Sequence, residues 1–397
     1  MTGAERVSAM IITCVHQGFE LYGSDRSFVE TVSALRVAFP AAMIEVVLAR
    51  HGPIVPALEP FASRITIEPL WILRRKDLPR LATFGLLRLP AAILRARARL
   101  RRSDMVYVNT SVVADYMLAS GFSSKRAIIH VHEIATGLTR SVLRALVRFS
   151  GARIIFNSCA TRDAFALPAS QNSRVIYNGL KGPAAIEPKT FDGTRPLRLL
   201  MIGRFSRIKG QEVLIKALSL LPAHLRPDVR IAGGAFEDDE REQRLADLVT
   251  ESGLASNVSL LPFVDDPAPL YRWADIVTVP SRLPESLGRV AIEAMAYGRP
   301  PLVSNIGGLP EVVEDGRTGW LVQPDQPAAL AQALRAIIEN PAAWNDMPSA
   351  GRERYEKLFS ESAFQAALTS LISEVLDRAA APSPGGVPVQ LARGNTA

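Results

Sequence analysis

The chain has 397 residues, 48% of them hydrophobic and 21% charged, with 46 Lys and Arg against 39 Asp and Glu for a net charge of +7. This composition excludes a wholly disordered, collagen-like or coiled-coil chain. At about 100–200 residues per domain it predicts two or three domains, and no apolar run reaches the ~18 residues of a membrane span.

In chain order, the opening MTGAERVSAMIITCV lacks a basic start and a small-residue cleavage site. It reads as a first strand and not as a signal peptide. Cys14 and Cys159 form neither a disulfide framework nor a zinc-ligand spacing, which fits a reducing, cytoplasmic setting. Val/Ile-rich strands are predicted at 10–15, 44–49, 105–108, 127–131, 153–157 and 174–177, each unbroken enough to be buried on both faces. The first is followed by HQGFELYGSDRSF, where Gly23 sits in a loop and Ser24 or Asp25 caps the next helix. HVHEI ends the fourth strand and puts His132 and Glu133 at its cleft-facing end, with His130 as a core histidine on the same strand.

Charge is unevenly distributed. Residues 1–180 carry 23 basic and 12 acidic side chains, whereas the remainder carries 23 and 27. Ten of the cations fall between Arg74 and Arg102, with Asp77 as the single acid there. Leu78, Leu81, Phe84, Leu87, Ile93 and Leu94 are interleaved with them, and Pro79 and Pro90 are placed to open two short helices. A basic amphipathic segment of this kind fits an anionic membrane surface. Nucleic acid is not expected as a partner, because no recognition motif accompanies the charge.

LKGPAAIEPKTFDGTRP, over 180–196, reads as a linker. A second strand series comes next at 197–202, 229–232, 258–261, 276–279, 301–304 and 320–322, alternating with helices at 211–221, 239–251, 287–297 and 328–338. Residues 342–378 read as helical, and the Pro/Gly-rich end as disordered.

The sharpest chemistry lies in this second half. In IGRFSRIKGQE, Gly203 permits a tight turn after a strand, and Arg204 and Lys209 flank a loop that leads through Gly210 into a helix. Two cations beside a helix N-terminus suit a diphosphate. In PSRLPESLGRVAIEAMAYGRP, Glu285 precedes a helix and Glu293 lies about two turns in; sugar or ribose hydroxyls would satisfy such carboxylates, as would a neighbouring arginine for Glu293. Backbone N–H groups near Leu287 and Gly288 suit a phosphate. Gly233 closes a strand in IAGGAFEDD, and Phe263 in LPFVDDP either frames a nucleobase or packs. The doublets Asp238–Asp239 and Asp265–Asp266 read as loop or cap residues, and no metal site is expected.

These segments in this order, with SNIGGLPE and DGRTGWLV after them, resemble glycosyltransferase family 4, retaining enzymes of the GT-B fold, over roughly residues 8–378. The resemblance implies two Rossmann-like α/β domains facing across a cleft. Residues 1–180 form the acceptor-side domain, 181–196 the linker and 197–358 the nucleotide-sugar domain. A terminal helix at 359–378 crosses back to the first domain, and 379–397 is a disordered tail. It also implies that Arg204 and Lys209 hold a donor diphosphate, that Glu285 meets the donor sugar and Glu293 the ribose, and that His132 lies near sugar and acceptor. Asn157 and Asn178, in NSCATRDAF and VIYNGL, are structural or cleft-lining. Tyr22 stands where the family often has the first of two glycines, while Gly23 keeps the second and its N–H faces the donor phosphate.

The function implied is transfer of a sugar from a nucleotide-diphosphate sugar, without a metal cofactor, to an acceptor hydroxyl. A lipid-linked glycan at the cytoplasmic membrane face is the expected acceptor. Another GT-B enzyme, such as a nucleotide-sugar epimerase or a glycogen/starch-type synthase, and a binding protein without turnover stand as alternatives.

Overall fold

The computed structural model describes residues 10–21, 23–73, 85–122, 126–168, 171–187, 191–234 and 239–380. Two parallel sheets carry the chain. The first runs β1 (Ile11–His16), β2 (Met43–Leu48), β3 (Arg64–Ile67), β4 (Met105–Val108), β5 (Ala127–Val131), β6 (Arg153–Phe156) and β7 (Ser173–Val175), in the spatial order β3-β2-β1-β4-β5-β6-β7. The second comprises β8 (Arg198–Ile202), β9 (Asp228–Ala232), β10 (Val258–Leu261), β11 (Ile276–Val279), β12 (Pro301–Ser304) and β13 (Trp320–Val322), in the order β10-β9-β8-β11-β12-β13. Central strands such as MVYV and IVTV are buried throughout, because helices cover both faces of each sheet.

The strand order reverses between β1 and β4 in one sheet and between β8 and β11 in the other. Loops leaving the carboxyl ends of strands diverge at such a point and open a crevice. In this chain the ends of those strands and the loops after them carry His16, Asn109, Gly203 and the segment 280–288, so sheet topology alone brings them to the cleft.

The helices that position the site are α1 (Gly23–Ala38), α2 (Ile54–Leu58), α3 (Leu86–Arg102), α4 (Ala114–Ser120), α5 (Gly137–Ser150) and α6 (Cys159–Phe165) on the first domain. The second has α7 (Gln211–Ser219), α8 (Asp239–Glu251), α9 (Ala268–Trp273), α10 (Arg289–Ala296), α11 (Leu309–Val312), α12 (Pro327–Glu339) and α13 (Met347–Leu358). The last helix, α14 (Glu361–Ala380), packs on α1 and buries Phe364, Leu368, Leu371 and Ile372 in the core of the first sheet. The chain therefore crosses between domains twice. The crossings are bonded to each other: the Leu180 amide donates to the Phe359 carbonyl (3.0 Å), and the Glu361 amide donates to the Leu180 carbonyl (3.1 Å).

Several expectations are corrected. Pro90 does not open a helix but lies inside α3, on its exposed side, where the Leu86 carbonyl it leaves unbonded can face water. Pro79 lies outside the described residues, as does most of the tail, although α14 continues to Ala380. The helix read at 342–378 is broken at Phe359–Ser360, where the chain crosses. The strand RITI, β3, was not expected; it is a four-residue edge strand paired with β2, with only its alternate residues Ile65 and Ile67 on the core.

Leu371, on the core-facing side of α14, is fully buried. Leu371→Ala is expected to cost about 2–4 kcal/mol of stability, read as a lower urea midpoint by circular dichroism. An unchanged midpoint would show that α14 does not complete the first core.

Candidate active site

Two adjoining cavities occupy the cleft. The larger, about 430 Å³, lies over the carboxyl ends of β8 and β9 and is lined by Arg204, Lys209, Gly233, Phe263, Arg289 and Glu293, with Gly23 and Gly203 at its edges. Gly233 is needed there, since a Cβ atom on it would sit 2.1 Å from the Gly203 carbonyl oxygen. Arg204 and Phe263 are exposed to the cavity. The Lys209 ammonium donates to Glu285 Oε2 at 2.8 Å, and the other Glu285 oxygen accepts from the Ser281 hydroxyl. The Glu285 carboxylate is thus fixed at the boundary between the cavities.

The smaller cavity, about 210 Å³, is lined by Gly23, His132, Asn178, Lys209, Glu285 and Gly288, with the backbone of Leu287 beside them. The Leu287 side chain itself is core. Gly288 takes φ +97° as the residue before α10, which begins at Arg289 and not at 286 or 287 as expected. A side chain at Gly288 would meet Leu309 as well as strain the backbone.

His132 is held by an ordered hydrogen-bond chain. Its Nε2–H donates to Asn109 Oδ1 (2.9 Å), and the Asn109 amide nitrogen donates to His16 Nδ1 (3.2 Å). His16 Nε2–H donates in turn to Asp25 Oδ1 (2.7 Å), while the His16 ring stacks on Phe28. An amide oxygen can only accept, so the direction of the whole chain is set. His132 Nδ1 is left as an acceptor, 3.4 Å from the Asn178 amide nitrogen. Asn178 also donates to the Ser27 hydroxyl (3.1 Å), and its Oδ1 is buried with no partner among the described residues. Asn178 Oδ1 suits a sugar hydroxyl, and His132 Nδ1 would accept from one in place of the long contact from Asn178. Burial, with a contribution from His16, pulls the His132 imidazole down to about 3, so it is neutral. His130 is enclosed beneath it, bonded to the Tyr107 hydroxyl, and burial followed by His132 lowers it too.

Ion pairs and amides join the domains around these cavities. Arg289 donates to both oxygens of Glu30 on α1 (2.8 and 3.1 Å) and from Nε to Glu293 (2.8 Å). Burial acts to lower the Arg289 guanidinium, but Glu30 and Glu293 reverse this and raise it. Glu293 also accepts from the Tyr271 hydroxyl (2.6 Å), so the arginine alternative allowed for this residue is realised here. Glu311 accepts from the amides of Cys159 (2.7 Å) and Ala160 (2.6 Å) at the start of α6. Asn157 donates to the Ser286 hydroxyl (3.2 Å).

Glu133 is not brought to either cavity. Its carboxylate accepts from the Thr110 and Ser111 hydroxyls and the Ser111 amide, tying the turn after β4 to the end of β5. Asp266 accepts from the Ala268 amide and caps α9 (3.0 Å). Asp238 and Tyr22 lie outside the described residues. His16, Asn109, Glu30, Arg289 and Glu311 were not anticipated. His16 and Asn109 carried a usable signal, since each obeys the same rule that drew attention to His132: a polar side chain where a strand meets the cleft.

The family model for glycosyl transferases group 1 matches residues 185–354. Over 364 residues the chain is 30% identical to glycogen synthase of Mycobacterium tuberculosis, across 81% of this chain and 85% of that protein. The chain belongs to the group 1 glycosyl transferases, of glycosyltransferase family 4. Among other members, D-inositol 3-phosphate glycosyltransferase of Pseudarthrobacter chlorophenolicus is 38% identical over 173 residues, 43% of this chain. The alignment spans only 39% of that relative's length. The GT-B fold of the family is also seen in the crystal structure of Anabaena HepE with UDP and glucose, with a TM-score of 0.73 at 23% identity over 92% of this chain and 99% of that one.

The depressed His130 and His132 values make stability depend on pH in a defined sense. Below the ordinary histidine value of about 6.5, the unfolded chain binds protons that the folded chain refuses. Stability is therefore full above that value and falls as pH drops toward 3. The urea midpoint is expected to decline from pH 7.5 to pH 5, and less steeply in His132→Gln. Parallel declines in the two proteins would contradict a neutral His132.

Proposed function

We propose that this protein transfers a sugar from a nucleotide-diphosphate sugar to an acceptor hydroxyl with retention of anomeric configuration, without a metal cofactor, at a membrane surface. The observation that carries the transfer reading is the Lys209–Glu285 pair at the junction of the two cavities, with Arg204 on the wall of the larger. Larger and smaller cavities then take nucleotide and sugar, and the diphosphate spans Lys209. HepE, a structural neighbour, was crystallised with UDP and glucose, which supports a nucleotide donor of this type.

The chemistry asks for stabilisation of the departing diphosphate while positive charge grows on the anomeric carbon. Fixed cations in a closed site meet that need without reorganisation. In this reading, Arg204 and Lys209 neutralise the phosphates, and the N–H groups at the start of α10, near Leu287 and Gly288, assist. Gly23, the first residue of α1, brings its amide to the donor from the opposite domain. Lys209 bound to phosphate releases one Glu285 oxygen to the sugar hydroxyls. Glu293 shifts hydrogen-bonding capacity from Arg289 to the ribose, and Phe263 covers the base. The acceptor oxygen attacks on the face that the phosphate leaves. The bond between the anomeric carbon and the phosphate oxygen breaks, and the acceptor proton passes to the departing phosphate. His132 accepts from a sugar hydroxyl and carries no proton in the reaction.

A lipid-linked glycan is the acceptor class that fits the cationic, apolar surface of α3. Among the described residues no helix is long and apolar enough to cross a membrane, so attachment by that surface would be peripheral. The likeness to a glycogen synthase makes a soluble glucan the competing acceptor.

The test is release of nucleotide from UDP-, GDP-, ADP- and dTDP-sugars, with lipid extract or soluble glucan as acceptor and with EDTA present. Release with one donor, dependent on lipid extract and resistant to EDTA, is expected. Lys209→Ala should reduce turnover about 10²–10³-fold with circular dichroism unchanged, and near-normal turnover in that variant would refute the phosphate assignment. Glucan-dependent release would replace the lipid acceptor, and loss in EDTA would overturn metal independence.

A further inference from the structure

Seven of the thirteen large apolar side chains exposed among the described residues cluster on α3, α5 and the turn after α4. On α3 a solvent-facing apolar row runs through Leu87, Ala91, Leu94 and Ala98, with Leu86 and Pro90 exposed beside it; on α5 the row is Leu138, Val142, Ala145 and Phe149. The two sets have the same i, i+4, i+7, i+11 spacing. At 100° per residue each fits within about 60° of arc. Each also lies opposite its own core contacts, which are Ala92, Ala96 and Leu100 on α3 and Leu143 and Val147 on α5. Leu87 is 80% exposed and Leu138 81%. Apart from Phe149, which packs on the turn after α4, these stripes are turned away from the core of their own helices.

The stripes belong to one surface. Helix α4 lies between α3 and α5 and packs against both. The Phe122 ring meets Phe149 edge-on at 5.9 Å, and the Arg97 guanidinium of α3 lies 5.0 Å from the Phe122 ring. Gly121 makes the link possible, because a Cβ there would sit 2.3 Å from the Phe149 ring. The two helices hold nine arginines and no acid. Arg99 and Arg102 are taken up by Glu68 and Glu45, while Arg88, Arg95, Arg101, Arg140 and Arg148 are exposed.

We propose that α3 and α5 together form a docking face for an anionic lipid bilayer, with α5 placing the mouth of the cleft at the membrane. This rests on the membrane reading given above and extends it to a second helix. Cations draw the face to acidic headgroups, and apolar side chains enter the headgroup–acyl boundary. A second copy is disfavoured as the occupant, since it would set the exposed Arg88, Arg95, Arg101, Arg140 and Arg148 against the same five. Helix α5 opens five residues after His132 and its stripe begins one residue later at Leu138, so the stripe starts within ~22 Å of the smaller cavity along the chain. An acceptor hydroxyl on a lipid would then rise from the bilayer beside that cavity.

The full chain is sedimented with vesicles of phosphatidylcholine alone or mixed with phosphatidylglycerol, at low and high salt. Wild type is expected on the mixed vesicles, weakened by salt. Leu138→Gln with Val142→Gln should weaken binding about tenfold, as should Leu87→Gln with Leu94→Gln. Both pairs are fully surface substitutions, and thermal melts check folding. Loss in the α3 pair with wild-type binding in the α5 pair overturns the two-helix face and leaves the broader membrane reading standing. Wild-type binding in both pairs, or no binding by wild type, removes both. A dimer in sedimentation velocity that the α5 pair dissolves, without effect on vesicles, would assign the face to a second copy and overturn the proposal.

Discussion

The cleft closes on one guanidinium. Arg289 stands at the first turn of α10 with a carboxylate from each domain against it, Glu30 from α1 and Glu293 from its own helix. A half-buried cation between two half-buried anions is tolerable only as a complete set. Remove any member and the others are left short of water and of a partner. This constraint fixes the distance between α1 and α10, and therefore between Gly23 and the Lys209–Glu285 pair. The donor cavities are the space that remains on either side of Arg289.

Everything else at the site depends on two reversals of strand order. Parallel strands deliver their loops to one edge, and the reversal parts those loops. In the second sheet the parted loops bear glycines, which lets backbone and cations reach a phosphate. In the first sheet they carry imidazoles and amides, which read hydroxyls. The division of labour between a charged half and a hydrogen-bonding half is thus already present in the loops after β8 and β11 as against those after β1, β4 and β5. The chain of bonds from Asp25 to His132 shows the second kind of site at work. Four side chains are used to present one lone pair in a fixed direction.

The two-sheet architecture was legible because buried parallel strands leave continuous Val/Ile runs. The donor side was legible because its residues are close in sequence, as Arg204 and Lys209 are, or share a helix. Where the reading failed, the cause was tertiary. Arg289 finds Glu30 across 259 residues, and Glu311 finds Cys159 across 152, and no local pattern announces such a meeting. Glu133 looked like a cleft residue because it adjoins His132, yet a neighbouring turn with two hydroxyls captures its carboxylate. Pro90 looked like a helix start because its missing N–H is harmless there. On the outer side of α3 it is harmless in mid-helix as well. The strand RITI was missed because a four-residue edge strand with one face on the core leaves no continuous apolar run.

The paired crossings at Leu180 and Phe359–Glu361 have a mechanical meaning. Two connections bonded side by side act as a hinge pin. A rotation of one domain on the other about that line would leave these two backbone bonds intact. The same swing would pull Glu311 away from the α6 amides and Glu30 away from Arg289, which lie off the axis. Both of those contacts spare a buried charge or a helix end from being left unmatched, so gape is resisted by charge. A ligand that supplied its own phosphates and hydroxyls to these groups would change the resistance without touching the pin.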